Sequence, residues 1–193
     1  GLGTLVCFDA GVFTPKWTLP LAGGSFGNFC CDEDRCYFGT RDGSFSAVDL
    51  ASGKLAWEFD CADVFVDREH VWPSGVIDNG DSVVVTCMHQ MLNDPGAMIC
   101  VDKLSGVKRW SLVNSHSFSS TNGVTTDSIV TVALDYRLMR IDRASGNVLF
   151  VGTLPKSDTR SNGEFNAVAL DGGFAFIVDA EKHVWRFDLS KLK

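Results

Sequence analysis

The sequence predicts an all-β fold built from about four repeated units, each a four-stranded antiparallel sheet. Three observations support this. A turn motif, Asp-x-x-Ser-Gly, recurs along the chain, short apolar runs lie between polar turns, and no segment shows the 3.6-residue apolar period of an amphipathic helix. With 193 residues, 45% of them hydrophobic and 21% charged, the chain has a globular composition and is long enough for one sizeable core.

The repeat is clearest around three turns. VDLASGKLAW (48–57) recurs as VDKLSGVKRW (101–110) and as IDRASGNVLF (141–150). Asp9 and Asp188 mark weaker copies at the two ends. The five aspartates are separated by 40, 53, 40 and 46 residues, which is the spacing of a supersecondary repeat.

Each residue of the Asp-x-x-Ser-Gly motif has an expected structural role in the turn. The Asp and Ser side chains are expected to bond the turn backbone, and the Gly to adopt the left-handed conformation of a type I turn with a bulge. In four copies an aromatic residue follows the Asp by eight positions, on the returning outer strand: Trp17, Trp57, Trp110 and Phe150. Three short strands precede each turn and one follows it, so each repeat has four strands, as in a β-propeller blade. We count two strands at the N-terminus, twelve in three full blades and three at the C-terminus.

A family resemblance rests on CYFGTRDGSFSAVDLASGKLAWEF (36–59). This segment resembles a complete repeat of the PQQ-like (quinoprotein-type) β-propeller family, in which a strand and an Asp-Gly turn lead to Ala-hydrophobic-Asp, Ser-Gly-Lys and Trp. The resemblance is strong over 23–60, fair over 74–151 and looser at both ends. Such repeats occur in quinoprotein dehydrogenases, in outer-membrane assembly scaffolds and in propellers attached to adenylate-forming enzymes. They imply blade geometry and do not by themselves imply a cofactor.

We expect residues 1–193 to form a single β-propeller domain or propeller segment. The expected blades are approximately 21–60, 61–113, 114–152 and 153–193, with terminal strands in 1–20. Joining the two ends gives a fourth blade with one strand too many. Three outcomes therefore stay open: a four-bladed ring closed by terminal strand exchange, self-association of two chains into one larger ring, or a piece of a longer polypeptide.

Charge and composition narrow the classes of partner. The net charge of −7 and the lack of a Lys/Arg stripe argue against nucleic acid. No run approaches the 18 or so apolar residues of a membrane-spanning helix, and the first residues lack the pattern of a signal peptide. An odd set of seven cysteines, most of them in apolar runs, suggests the cytoplasm or another reducing compartment.

Two connections are longer than the repeat requires, and we expect them to meet on one rim: 60–72 and 88–98. They form the predicted contact surface for a protein partner or for another domain of the same polypeptide. Met and Trp suit an adaptable protein contact. Acidic and His side chains in the same loops follow no metal-ligand spacing, so no metal site is predicted. The predicted contact residues are Phe65, His70, Trp72, Met88, His89, Met91, Asp94 and Met98.

Cys30 and Cys31 form the sharpest chemical motif. Quinoprotein alcohol dehydrogenases carry an adjacent-cysteine disulfide beside the quinone, followed by Asp, as Asp32 follows here. The resemblance thus implies a site for PQQ with Ca²⁺ at Cys30 and Cys31 as an alternative. The pair lies at the end of the inner strand, however, whereas the family's pair precedes that strand, and the Asn-Arg-Gly stretch is missing. We therefore predict no cofactor.

Residues 23–27 match the letters Gly-x-Ser-x-Gly, but Gly23-Gly24 opens a strand and not a helix, so neither a nucleophile elbow nor a phosphate-binding loop is predicted, and no Cys-His pair is evident. The first hypothesis is therefore a non-catalytic propeller that acts as a protein-interaction scaffold through one loop rim. A fragment of a PQQ-dependent dehydrogenase and a regulatory propeller of an adenylate-forming enzyme are the alternatives.

Overall fold

The computed structural model describes residues 3–25, 27–65, 71–88, 94–119, 121–155, 165–179 and 182–192. The described residues form seventeen β-strands in five antiparallel sheets, with two short 3-10 helices, Cys61–Val64 and Leu189–Lys191. None of these residues forms a helix long and apolar enough to cross a membrane. The predicted all-β class is confirmed.

The strands follow one another as meanders. The N-terminal hairpin contains β1 (Gly3–Phe8) and β2 (Pro15–Leu21). Blade 1 contains β3 (Cys30–Cys31), β4 (Arg35–Gly39), β5 (Ser44–Asp49) and β6 (Leu55–Asp60). Blade 2 contains β7 (Trp72–Asp78), β8 (Ser82–Met88), β9 (Gly96–Asp102) and β10 (Lys108–Asn114). Blade 3 contains β11 (Gly123–Val124), β12 (Ser128–Ala133), β13 (Arg137–Asp142) and β14 (Val148–Thr153). The C-terminal sheet contains β15 (Phe165–Asp171), β16 (Phe174–Asp179) and β17 (Val184–Asp188).

The grouping into two, twelve and three strands matches the count expected from the repeat. In every full blade the order in space is the order in the chain, so each strand pairs with its sequence neighbour. Within the described ranges no strand of the N-terminal hairpin pairs with a strand of the C-terminal sheet. The described strands therefore do not close a ring by pairing.

The core consists of four apolar clusters, one between each two consecutive sheets. Strand β8 shows why. Its side chains alternate between two faces, so that Val83 and Val85 pack towards blade 1 while Val84 packs towards blade 3. A strand covered on both faces needs apolar residues at successive positions, and β8 is buried along almost its whole length. This explains the continuous apolar runs in the sequence.

The Asp-x-x-Ser-Gly turn has the predicted geometry. In blade 1 one carboxylate oxygen of Asp49 accepts hydrogen bonds from the amide and the hydroxyl of Ser52, both at 2.7 Å. Gly53 has φ of 68°, and the pairing of β5 with β6 shifts register beside the turn. Blades 2 and 3 repeat the same bonds. The predicted Asp and Ser bonds, the left-handed Gly and the bulge are thus confirmed, and the turn is closed by the Gly53 amide, which donates to the carbonyl of Asp49 at 2.8 Å.

A tryptophan from the preceding sheet packs on each of the three Asp-x-x-Ser-Gly turns. The indole of Trp57 in blade 1 donates a hydrogen bond of 2.8 Å to the carbonyl of Lys103 in the turn of blade 2. Its ring lies so close to Gly106 that a Cβ there would be 2.7 Å from a ring carbon. We call this combination of Trp, turn carbonyl and turn Gly a tryptophan joint. Two further joints link the N-terminal hairpin to blade 1 and blade 2 to blade 3, through Trp17 with Gly53 and Trp110 with Gly146.

The contact between blade 3 and the C-terminal sheet differs from the tryptophan joints. Phe150 occupies the aromatic position and has no N–H to donate. The turn after Asp188 has no glycine and instead forms the short helix Leu189–Lys191. Phe150 packs in the same apolar cluster as Leu189 and Leu192. This interface is therefore held by apolar contact in place of the indole hydrogen bond.

Candidate functional site

The predicted rim lies at one end of blade 2. Trp72 at the start of β7 pairs with Met88 at the end of β8, and Met88 pairs with Gly96 at the start of β9. The connection before β7 and the turn after β8 therefore open on the same edge of the blade. The strand ends that adjoin the two long segments of the sequence are thus neighbours.

The connection into β7 begins with the 3-10 helix Cys61–Val64. The carboxylate of Asp60 accepts a hydrogen bond of 2.9 Å from the amide of Ala62 and so caps this helix. The amide of Cys61 donates to the carbonyl of Gly43 at 3.0 Å, which fixes the helix to the turn between β4 and β5. Cys61 and Ala62 are buried, while Phe65 packs at the edge of the core between blades 1 and 2. The base of the rim is thus rigidly attached to the scaffold.

The turn after β8 is the longest of its kind. Seven residues (89–95) separate β8 from β9, against four (40–43) in blade 1 and three (134–136) in blade 3. The carbonyl of Asp94 accepts a hydrogen bond of 3.3 Å from the hydroxyl of Ser117, which precedes blade 3. A Cβ at Gly96 would lie 2.5 Å from the Cα of Ser117, so the two blades approach closely here. The rim therefore spans the boundary between blades 2 and 3.

The structure describes part of the predicted contact set, in which Trp72 and Met88 are paired neighbours. Phe65, Trp72, Met88 and Asp94 are half-buried and lie at this edge. Met98 does not belong with them. It lies in the third position of β9, fully buried between blades 2 and 3, because that strand already begins at Gly96. His70, His89 and Met91 lie outside the described residues.

A polar cluster beside the rim was not predicted from the sequence. The Asp135 carboxylate lies 3.3 Å from Nδ1 of His116 and accepts a hydrogen bond of 2.5 Å from Nε of Arg137. Arg137 also donates to the side chain of Asn114 at 2.8 Å. These residues come from the connection before blade 3 and from its central turn, the same two positions that form the rim in blade 2. Only the strand register reveals that they meet.

The opposite edge carries a charged contact between blades 1 and 2. Nζ of Lys103 lies 3.2 Å from Asp32 and 3.1 Å from Asp78, and 5.6 Å from the centre of the Tyr37 ring. The hydroxyl of Tyr37 donates to Asp32 at 2.8 Å, and Arg35 donates to the carbonyls of Lys103 and Leu104. Lys103, Asp32 and Arg35 thus have partners on the neighbouring blade, whereas Asp78 pairs with Lys103 within blade 2. The arrangement suits a structural contact between blades.

The pKa of Asp32 reflects this environment. Burial is the largest single influence and raises the pKa of Asp32. Hydrogen bonds outweigh it and lower the pKa to about 2; their donors are the Tyr37 hydroxyl, the backbone amides of Arg35 and Asp34, and Lys103. Asp32 is therefore a carboxylate at neutral pH. It is held by its partners in the folded protein.

The comparison with known families decides the identity of the fold. The model of one family, described as outer membrane protein assembly factor BamB, matches residues 1–191. The chain belongs to the BamB family. No curated protein matches the chain.

Solved structures agree with this family assignment at the level of the fold. BamB from Moraxella catarrhalis superposes with a TM-score of 0.72 at 13% identity, covering 99% of this chain and 57% of that protein. The computationally designed Ika4 protein gives 0.63 at 14% identity, covering 87% of this chain and 92% of Ika4. The quinohemoprotein alcohol dehydrogenase ADHIIG from Pseudomonas putida HK5 gives 0.69 at 12% identity, covering 96% of this chain and 39% of that enzyme. The chain therefore spans little more than half of the BamB structure that it resembles.

The fold of this BamB-family chain places Cys30 and Cys31 on opposite faces of β3. Cys30 packs against the core between blades 1 and 2, whereas Cys31 is exposed. Both thiols are free. Burial raises the pKa of Cys30 to about 12. The pair therefore does not present two sulfur atoms to one ligand, and it does not match the quinone site that the resemblance to quinoprotein dehydrogenases implies.

A metal site is also not evident at the rim. Within the part of the chain that the structure describes, no three His, Cys, Asp or Glu side chains converge so as to hold a metal ion. The described rim therefore offers apolar contact area and backbone groups, with Asp94 at its margin.

Proposed function

We propose that this chain is a non-catalytic scaffold of the BamB family that contacts a protein partner through the rim of blade 2. The partner is another protein or another part of the same polypeptide. One observation carries the proposal. Two extended connections start from one edge of blade 2, where Trp72 pairs with Met88 and where Phe65 follows a helix that is fixed to the scaffold, and all three side chains are half-buried.

The chemistry of these side chains supports a protein contact. Aromatic residues and Met are enriched at protein interfaces, where they supply a large apolar contact area. Loops that exceed the needs of a scaffold are also where binding residues concentrate. The family description, outer membrane protein assembly factor, agrees with a protein that works by contacting other proteins.

The test compares two edges of the same blade. Phe65→Ser and Met88→Ser change the rim, whereas Leu104→Ser and Val107→Ser change exposed apolar side chains at the opposite edge. Tagged versions are used for quantitative capture of bound proteins from the source cells, after the melting temperature of each variant has been checked. We expect the rim variants to lose one or more partners at least tenfold and the opposite-edge variants to keep them. Equal capture by all variants would refute the rim as the contact surface.

The dehydrogenase alternative has its own test. Calorimetric titration of the chain with PQQ in calcium, repeated in EDTA, is expected to show no saturable heat. Saturable binding that depends on the cation would overturn the scaffold proposal and make Cys30 and Cys31 the first residues to substitute.

We propose that residues 1–193 form one propeller segment whose open ends are completed by further strands. The C-terminal sheet has three described strands and the N-terminal hairpin two, where full blades have four. Strands from a second copy or from the same polypeptide would satisfy these edges. Light scattering over a range of concentrations separates the two, since only a second copy doubles the mass.

A further inference from the structure

Three cysteines lie near one another where the N-terminal hairpin packs on blade 1. Cys36 is buried in the apolar cluster between these two sheets, and Cys31 is exposed on the neighbouring strand. The thiols of Cys31 and Cys36 are within hydrogen-bonding reach of each other, and Cys7 of the hairpin is close enough to influence Cys36 electrostatically. The proposed scaffold function makes no use of these thiols.

The strand register fixes the geometry of the Cys31 and Cys36 pair. They lie directly opposite each other in the antiparallel pairing of β3 with β4. The next pair towards the turn is hydrogen-bonded, since the amide of Asp32 donates to the carbonyl of Arg35 at 2.9 Å. Hydrogen-bonded and non-hydrogen-bonded pairs alternate along an antiparallel ladder, so Cys31 and Cys36 form a non-hydrogen-bonded pair.

Such pairs suit a cross-strand disulfide. Their Cα atoms are about 4.5 Å apart and their side chains point to the same face. Disulfides join Cα atoms separated by roughly 4.4–6.8 Å. The backbone of β3 and β4 therefore needs little adjustment to join the two sulfur atoms.

The adjacent pair Cys30 and Cys31 lacks this geometry. Successive side chains of a strand point to opposite faces, and Cys30 packs towards blade 2 while Cys31 shares its face with Cys36. A bond between Cys30 and Cys31 would require β3 to leave its extended conformation. Among the cysteines of blade 1, the structure thus favours the cross-strand pair over the adjacent one.

We propose that Cys31 and Cys36 form a reversible cross-strand disulfide when the protein meets a low-molecular-weight disulfide such as oxidised glutathione. The exposed Cys31 thiolate attacks the oxidant, which forms a mixed disulfide and releases one glutathione thiolate. The Cys36 thiolate then attacks the sulfur of Cys31 and releases the second glutathione. Two protein thiols are oxidised, one oxidised glutathione is reduced to two thiols, and the two protons pass to these products.

The order of the two steps follows from accessibility. Cys31 is exposed and meets the oxidant first, whereas Cys36 is only 4% exposed and is reached only by a sulfur already beside it. Replacing Cys36 by Ala should therefore trap the mixed disulfide on Cys31. Replacing Cys31 by Ser should remove the reaction altogether.

The experiment treats the folded chain with oxidised glutathione, quenches it with acid, and then counts thiols after denaturation and maps the bonds by mass spectrometry. The untreated chain has seven free thiols. We expect the treated chain to keep five, with a peptide pair joining Cys31 to Cys36. Cys30→Ser is the matched control, because it changes the adjacent thiol on the other face and should still lose two thiols.

The variants separate this proposal from other pairings. The expected results are one bound glutathione in Cys36→Ala and no loss of thiols in Cys31→Ser, with full reversal by reduced glutathione in the unmodified chain. A map that joins Cys30 to Cys31, Cys7 to Cys36 or Cys61 to Cys87 as the main product would overturn it. So would a chain that keeps all seven thiols while circular dichroism shows it folded.

Discussion

The turn glycines show how one backbone position serves two purposes. Gly106 has φ of 73°, a conformation that L side chains rarely adopt, and it also lies against the ring of Trp57. Any Cβ at this position would meet both backbone strain and the indole. The repeated turn motif and a contact between blades therefore depend on the same residue.

Gly106→Ala is expected to destabilise the protein by roughly 2–4 kcal/mol, from left-handed strain together with overpacking against Trp57. Gly172→Ala is the matched control. Gly172 also has a positive φ, of 53°, but a Cβ there would meet nothing within 4 Å, so we expect a loss of roughly 1 kcal/mol. Urea unfolding measures both. Equal losses would show that the ring contact contributes nothing.

Asp32 makes the stability of the contact between blades 1 and 2 depend on pH. Its pKa of about 2 in the folded protein lies below the ordinary value of 3.8. A depressed carboxylate pKa stabilises the fold above the unfolded pKa, and this contribution is lost as the pH falls through the folded value. Asp32→Asn should therefore be less stable than the unmodified chain at pH 7, and the difference should shrink between about pH 4 and pH 2.

Glu33→Gln is the control for this titration, because it removes a charge at the exposed tip of the same turn. Unfolding free energies measured at several pH values should show no comparable narrowing for Glu33→Gln. A constant difference between Asp32→Asn and the unmodified chain at all pH values would contradict the assignment.

Among the elements, the outer strands define how the blades are joined. Trp57 is 9% exposed, and its indole bonds the turn of the next blade. We expect Trp57→Ala to cost roughly 3–5 kcal/mol. Trp57→Phe keeps most of the ring but removes one of the two donors to the Lys103 carbonyl, the other being Arg35, which should cost roughly 0.5–1.5 kcal/mol. Leu104→Ala, at a side chain that is 78% exposed, should change the stability by less than about 0.5 kcal/mol. An unchanged melting temperature for Trp57→Ala would contradict the joint.

Some features of the strands and turns could be predicted from the sequence and others could not. The turn, its left-handed glycine and the position of Trp57 on the outer strand follow from local chemistry, and all three agree with the structure. The residue that each tryptophan contacts could not be predicted, because that contact lies in the next repeat and depends on how blades stack. Met98 was misplaced for a similar reason. In an apolar segment the sequence does not distinguish the end of a loop from the first residues of a buried strand. Only the pairing of β8 with β9 shows that the strand begins at Gly96.

The candidate site could be predicted only in part. The excess length of 60–72 and 88–98 was visible in the sequence, and the register places the strand ends that adjoin these segments side by side. The cluster of His116, Asp135 and Arg137 was not visible, since its members are far apart in the chain and no motif links them. The same holds for the pairing of Cys31 with Cys36, which depends on which cysteines face the same side of the sheet.

At the scale of the whole molecule, five sheets with four apolar interfaces make a segment of a propeller that no described strand pairing closes. The contact surfaces between blades repeat, so the stability of the segment is approximately a sum over neighbouring contacts. The interface without a tryptophan joint, between blade 3 and the C-terminal sheet, lacks the indole bond that the others have. We therefore expect this sheet to exchange its backbone amides faster than blades 1 and 2.

The most direct measurement of the central claim is site-specific photo-crosslinking in the source cells. A photoreactive phenylalanine analogue is placed at Met88 on the rim and, in a second version, at Leu104 on the opposite edge of the same blade. If the rim contacts a protein partner, we expect discrete protein adducts from position 88 and none from position 104. Adducts from position 104 alone, or from neither position in a folded and abundant chain, would contradict a protein contact at the rim.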